Sequence, residues 1–108
     1  MNAIRVLHAI GGSTNAVIHR LAIAYELGLE DRINLDLIES RRRETPCLTA
    51  AWRSGPYAMR YFEEAGGFQT VMKQITSILD LEALIVTGET VAENLAQTSV
   101  VSWQENCL

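Results

Sequence analysis

Glycine and proline interrupt this chain so regularly that no long helix can form, and every element must be short and packed against another. Gly11-Gly12, Gly28, Pro46, Ser54-Gly55-Pro56, Gly66-Gly67 and Gly88 fall between stretches of apolar periodicity. Glycine closes helices cheaply in the left-handed conformation, and proline pushes the preceding residue out of helical geometry.

Between these breaks the apolar residues recur at helical spacing. Ile4, Leu7 and Ile10 share a face of Asn2 to Ile10, with Val6 beside them. The strongest pattern runs from Asn15 to Leu27. There Val17, Leu21, Ala24 and Gly28 form one row, Ile18, Ala22 and Tyr25 its neighbour, predicting a broad apolar face. Ser13 or Thr14 is placed to cap this helix. A third helix is expected over Asn34 to Arg43, ending before Pro46, with Thr45 to Arg53 extended or looped. Tyr57 to Ala65 and Phe68 to Leu79 read as two more helices, separated by Gly66-Gly67.

The run Leu84-Ile85-Val86 makes Ala83 to Thr87 the strand candidate, and Val100-Val101 a possible edge strand. Glu93 lies three residues after Thr90, the spacing of a capping box. The expected architecture is therefore mostly α-helical with one or two short strands. One strand cannot satisfy its own backbone groups, so either two copies pair through it or the rest of a sheet lies elsewhere.

Composition excludes several functions. With 9 basic and 13 acidic residues, net −4, there is no basic face to bind nucleic acid. The cluster Arg41-Arg42-Arg43, followed by Glu44, reads as the solvated end of a helix. No apolar run is long enough for a bilayer, and the first residues do not read as a signal peptide, so no membrane partner and a cytoplasmic location are the default expectations. Cys47 and Cys107 stand far apart with no CxxC or nearby His pair, which argues against zinc. Cys47 reads as a small buried thiol. Trp52 and Trp103 are isolated.

The most pointed local feature is Gly11-Gly12-Ser13-Thr14-Asn15. Free amides at a helix N-terminus favour an anion, and glycines let a ligand approach the backbone. Gly12, Ser13, Thr14 and Asn15 could hold a carboxylate or phosphate, or the same residues could be a plain helix–turn–helix junction. His19 lies a turn beyond Asn15 and is a candidate base, or simply a surface or packed histidine; His8 has the same alternatives. Glu63-Glu64 diverge by about 100° on a helix and cannot share a site.

The stretch Asn2-Ala3-Ile4-Arg5-Val6-Leu7-His8-Ala9-Ile10-Gly11-Gly12-Ser13-Thr14-Asn15-Ala16-Val17-Ile18-His19 resembles a signature of the dihydroxy-acid dehydratase/phosphogluconate dehydratase family, which includes aldonic-acid dehydratases. The resemblance continues through Ser54-Gly55, Tyr57, Met59, Ala65-Gly66-Gly67 and Val71-Met72-Lys73, and resumes over Val86-Thr87-Gly88-Glu89-Thr90-Val91-Ala92-Glu93-Asn94-Leu95. It implies an α/β fold for the family, of which residues 1–108 would be part of the N-terminal domain and 97–108 a divergent tail.

By the same resemblance, complete enzymes dehydrate 2,3-dihydroxy carboxylic acids to 2-keto acids. A three-cysteine iron–sulfur cluster acts on the departing hydroxyl, a magnesium ion holds the carboxylate end, and a serine alkoxide serves as base. The cluster cysteines and magnesium ligands would lie upstream of Gly11 and the serine downstream of Leu108, so the resemblance places no catalytic residue and no metal ligand in this chain. Arg53 replaces the family's usual proline, and Pro56 follows the glycine. The expectation is a truncated reading frame or gene remnant, inactive alone, that self-associates or needs the missing domain. The alternative is a non-catalytic assembly partner of a separately encoded remainder. The partner expected for the complete enzyme is a small hydroxy acid.

Overall fold

The computed structural model describes residues 1–49 and 59–99. In order they form α1 (Asn2–Ala9), α2 (Thr14–Glu26), α3 (Leu35–Glu44), α4 (Met59–Glu64), α5 (Gly67–Gln74), a 3-10 turn (Thr76–Ile78) and α6 (Val91–Ala96). Helix α1 is the centre of the arrangement, packing on α3 along one side and on α5 along another. The core gathers Ala9 with Phe62, Val71, Ile75 and Leu79, and Val6, Ile10, Leu48 and Met72 pack around it. Phe62 meets Phe68 edge to face with centroids 5.1 Å apart, the geometry the ring quadrupoles favour.

Each end of α1 is tied down. At the start, Asn2 Nδ2 donates to the Asp80 carbonyl at 2.7 Å and Asn2 Oδ1 accepts from the Asp80 N–H at 2.8 Å. Arg5 donates to the Ile78 carbonyl and pairs with Glu44 at 3.1 Å. At the finish, the last carbonyls would be orphaned. Gly11, in the left-handed region at φ 64, lets its own N–H reach His8 O (3.1 Å) and the Gly12 N–H reach Leu7 O (2.8 Å), a Schellman closure. The Ala9 carbonyl then accepts from Leu48 N–H at 2.7 Å, and the Ile10 carbonyl from the Thr49 hydroxyl at 3.0 Å. Gly28 closes α2 in the same way, with Leu29 N–H on Ala24 O at 2.8 Å.

The caps follow the sequence pattern in part. Asn34 Oδ1 accepts from Leu37 N–H at 3.0 Å and starts α3. Thr90 and Glu93 form the reciprocal capping box of α6, with bonds of 3.2 and 2.8 Å. Ser13 sits at the N-cap of α2 in extended conformation, yet its side chain makes no capping bond.

Three expectations are corrected. Among the described residues there is no β-strand: Ala83 to Thr87 is a tight return loop with one antiparallel bridge, Leu84 to Thr90. Gly88 N–H bonds Ile85 O at 3.0 Å and Ile85 N–H bonds Glu89 O at 2.9 Å, so the chain folds back on itself. Helix α6 then begins at Val91, leaving no room for a ladder, and Val86 projects fully into solvent. The helix expected over Phe68 to Leu79 ends at Gln74 and continues only as the 3-10 turn. Cys47 is exposed, not buried. The expectations for Trp52, Ser54-Gly55-Pro56, Tyr57, Val100-Val101, Trp103 and Cys107 lie outside the described residues.

Candidate functional site

The α1–α2 junction displays the residues singled out from the sequence. Gly11 and Ser13 are half-buried, while Gly12, Thr14, Asn15 and His19 are exposed. Gly12 has a structural cause of its own. A Cβ there would lie 2.2 Å from Leu7 Cδ1 and 3.0 Å from the Leu7 carbonyl, so the closure of α1 excludes any side chain. The glycine pair is thus fully accounted for by the turn, whatever else approaches it. No side chain caps α2 and its first turn holds no acidic residue; of its leading amides, Ala16 N–H bonds the Ser13 carbonyl at 3.0 Å.

A concavity lies elsewhere on α1. A groove of about 600 Å³ runs between the Ala3–Val6–Leu7–Ile10 side of α1, Phe68 and Met72 of α5, and Ala83 to Ile85, with Arg20, Asn2 and Asp80 supplying its polar groups. Ser13 to Asn15 and His19 do not line it; the junction and the groove are neighbours that share α1 and α2. Arg20 was missed by sequence reasoning, which gave it no weight beside His19; the signal available was only that a helix turns about 100° per residue, which sends the two side chains in different directions.

The remaining titratable clusters are structural. His8 lies between α1 and α3. Burial lowers its pKa from the ordinary 6.5, reinforced by the charge of Arg42 and opposed by a bond with the Ile38 backbone and by Glu39. Its Nε2 is buried without a hydrogen-bond partner. At the end of α3, Glu39 pairs with Arg42 at 2.7 Å and Arg43 at 3.0 Å, which lowers its carboxyl to about 2. Arg42 and Arg43 therefore form a solvated, ion-paired helix end, while Arg41 is half-buried and pairs with Glu44 at 2.6 Å. Glu63 and Glu64 point outward from α4.

Among the described residues no three His, Cys, Asp or Glu side chains converge to hold a metal ion, and no helix is long and apolar enough to cross a membrane.

The chain is 42% identical over 101 residues to a dihydroxy-acid dehydratase of Methanosarcina barkeri, an alignment covering 94% of the chain and 18% of the relative. It is 43% identical to the dihydroxy-acid dehydratase of Methanothrix thermoacetophila, over 97% of the chain and 19% of that protein. An L-arabinonate dehydratase of Rhizobium leguminosarum bv. trifolii is 42% identical over 99% of the chain and 18% of its own length. The chain thus spans under a fifth of the length of these relatives. Residues 1–94 match the N-terminal family model of the dihydroxy-acid/6-phosphogluconate dehydratases, and the chain belongs to that family.

Proposed function

We propose that these residues form part of the N-terminal domain of a hydro-lyase that dehydrates a 2,3-dihydroxy carboxylic acid to a 2-keto acid, and that the 108-residue chain is inactive alone. The supporting observation is the family match over residues 1–94, joined by relatives named for dehydration of hydroxy acids. In this reading the open N-terminus of α2 faces the substrate. Its uncapped amides offer donors to a carboxylate, Thr14 and Asn15 add polar groups, and His19 stands at the same mouth.

The resemblance implies an iron–sulfur cluster and magnesium, and the described residues do not fit either one. Cys47 is an exposed free thiol, and among the described residues no three His, Cys, Asp or Glu side chains converge. Ligands for both groups would have to come from outside the described residues.

The test is an assay for 2-keto acid formed from a 2,3-dihydroxy monocarboxylate and from L-arabinonate. It compares this chain with a polypeptide that carries the same residues within the length of the relatives. The chain alone is expected to yield none, and the longer polypeptide to convert one of the two. In the longer form, Ser13→Ala with Thr14→Ala should raise KM with little change in kcat. A longer polypeptide that binds its metals yet converts neither acid would overturn the reading.

A further inference from the structure

Two helices turn apolar rows toward a space that the described residues leave open. On α1, Ala3, Leu7 and Ile10 recur at helical spacing and lie on one side. On α5, Phe68 and Met72 stand four residues apart and so share a face. Val71, wholly buried, takes the inward face of that helix. Leu84 of the return loop closes the third side. The result is the groove of about 600 Å³, a size that suits a small organic ligand. Phe68 and Leu84 line it yet remain 52% and 73% exposed, so the fold itself leaves this apolar surface wet.

Charge decides the occupant. Arg20 of α2 also lines the groove and is exposed. Among the described residues it has no ion pair and no hydrogen bond, whereas Arg5, Arg41, Arg42 and Arg43 each hold a glutamate. Asp80 does not neutralise it: the two form no ion pair, and the Asp80 carboxylate accepts the Glu82 N–H at 3.2 Å. We propose that the groove binds an aliphatic monocarboxylate, its chain against Leu7, Ile10, Phe68, Met72 and Leu84 and its carboxylate on the Arg20 guanidinium. A guanidinium presents paired N–H donors that match a carboxylate. A single cation balances a single negative charge, so a phosphate dianion would leave charge uncompensated beside apolar walls and Asp80. A dihydroxy acid fits poorly for a related reason, since its hydroxyls would lose water and gain few partners. The groove is therefore a second binding site, apart from the α1–α2 junction proposed for the substrate; Ser13 to Asn15 and His19 do not line it.

Calorimetric titration of the whole chain with octanoate tests this, with octanol and octylammonium as probes of the same length. Octanoate is expected to bind saturably at one site, octanol more weakly, and octylammonium not at the groove. Nuclear magnetic resonance should place the octanoate-induced shifts at Leu7, Ile10, Phe68, Met72 and Leu84. Arg20→Gln should weaken octanoate roughly tenfold and leave octanol unchanged, because only the charged hydrogen bonds are lost. Leu84→Ser should weaken both. Each variant changes an exposed side chain, and helical circular dichroism checks that the fold is kept. No saturable binding, octanoate no tighter than octanol, or octanoate bound equally well by Arg20→Gln overturns the proposal. So does a set of shifts centred elsewhere. Two other occupants give results of their own. A chain already dimeric by sedimentation, whose dissociation on dilution moves the same groove signals, assigns the groove to a second copy. Octanoate bound by this chain but not by the longer polypeptide assigns it to further residues of that polypeptide. Either result overturns the proposal.

Discussion

Gly12 shows how much one missing Cβ can decide. Gly12→Ala drives a methyl group into Leu7, and overpacking of this kind costs about 1–3 kcal/mol. Urea denaturation should show that loss, and it should shrink in a Leu7→Ala background, where Cδ1 is gone. Gly28→Ala meets no atom within 4 Å but must hold φ +65, so about 1–2 kcal/mol is expected from backbone strain alone. His8 gives a pH signature. Burial depresses its folded pKa below the unfolded 6.5, so the fold holds it neutral. That contribution is complete above 6.5 and is lost as pH falls through the lower folded value. Stability measured by thermal melting should therefore drop on acidification below 6.5, and His8→Gln should flatten that part of the profile.

At the level of helices and turns, the pattern of the sequence was readable at several places where a local rule decides the outcome, though Ser13 makes no capping bond. Glycine closures and the Thr90–Glu93 box are local hydrogen-bond arrangements, and they appear where the residues put them; the Asn34 cap was not read from the sequence. Replacing Thr90 by Ala should cost about 1 kcal/mol and selectively increase amide exchange across α6, measurable by hydrogen–deuterium exchange. What was not readable depended on distant packing. Leu84-Ile85-Val86 has the composition of a strand, but the capping box starting at Thr90 ends any ladder after one bridge. Ile18, Ala22 and Tyr25 have the periodicity of a buried face, and periodicity says nothing about whether a neighbour is present to bury it. The candidate site shares that limit. The sequence located the α1–α2 junction, whose glycines serve the closure of α1, but the groove beside it draws Arg20, Met72 and Leu84 from separate elements and could not be read from any one of them.

Across the molecule, stability rests on the cluster where α1 meets α4, α5 and the turn after it. Ile75 is almost wholly buried there. Ile75→Ala should cost about 2–5 kcal/mol, a large share of the total for a chain this small, and calorimetry should show the melting transition lowered or lost. By contrast, substitutions at Val86 or Leu84, both strongly exposed, should leave the melting temperature nearly unchanged. The distribution of apolar residues is thus two-sided, with one set closing the interior and another left on the surface along α2 and the return loop.

The ties between the start of α1 and Ile78 to Asp80 also set a timetable. Helix α1 precedes in synthesis the residues that later complete its core, since Phe62, Val71, Ile75 and Leu79 all come far after Ala9 in the chain. At translation rates of about 5–20 residues per second, the nascent helix waits for several seconds with its apolar face uncovered. Slow codons or a stalled ribosome between Pro46 and Phe62 would lengthen that wait. The vulnerable moment for this polypeptide is therefore during its birth, when a chaperone has the most surface to hold.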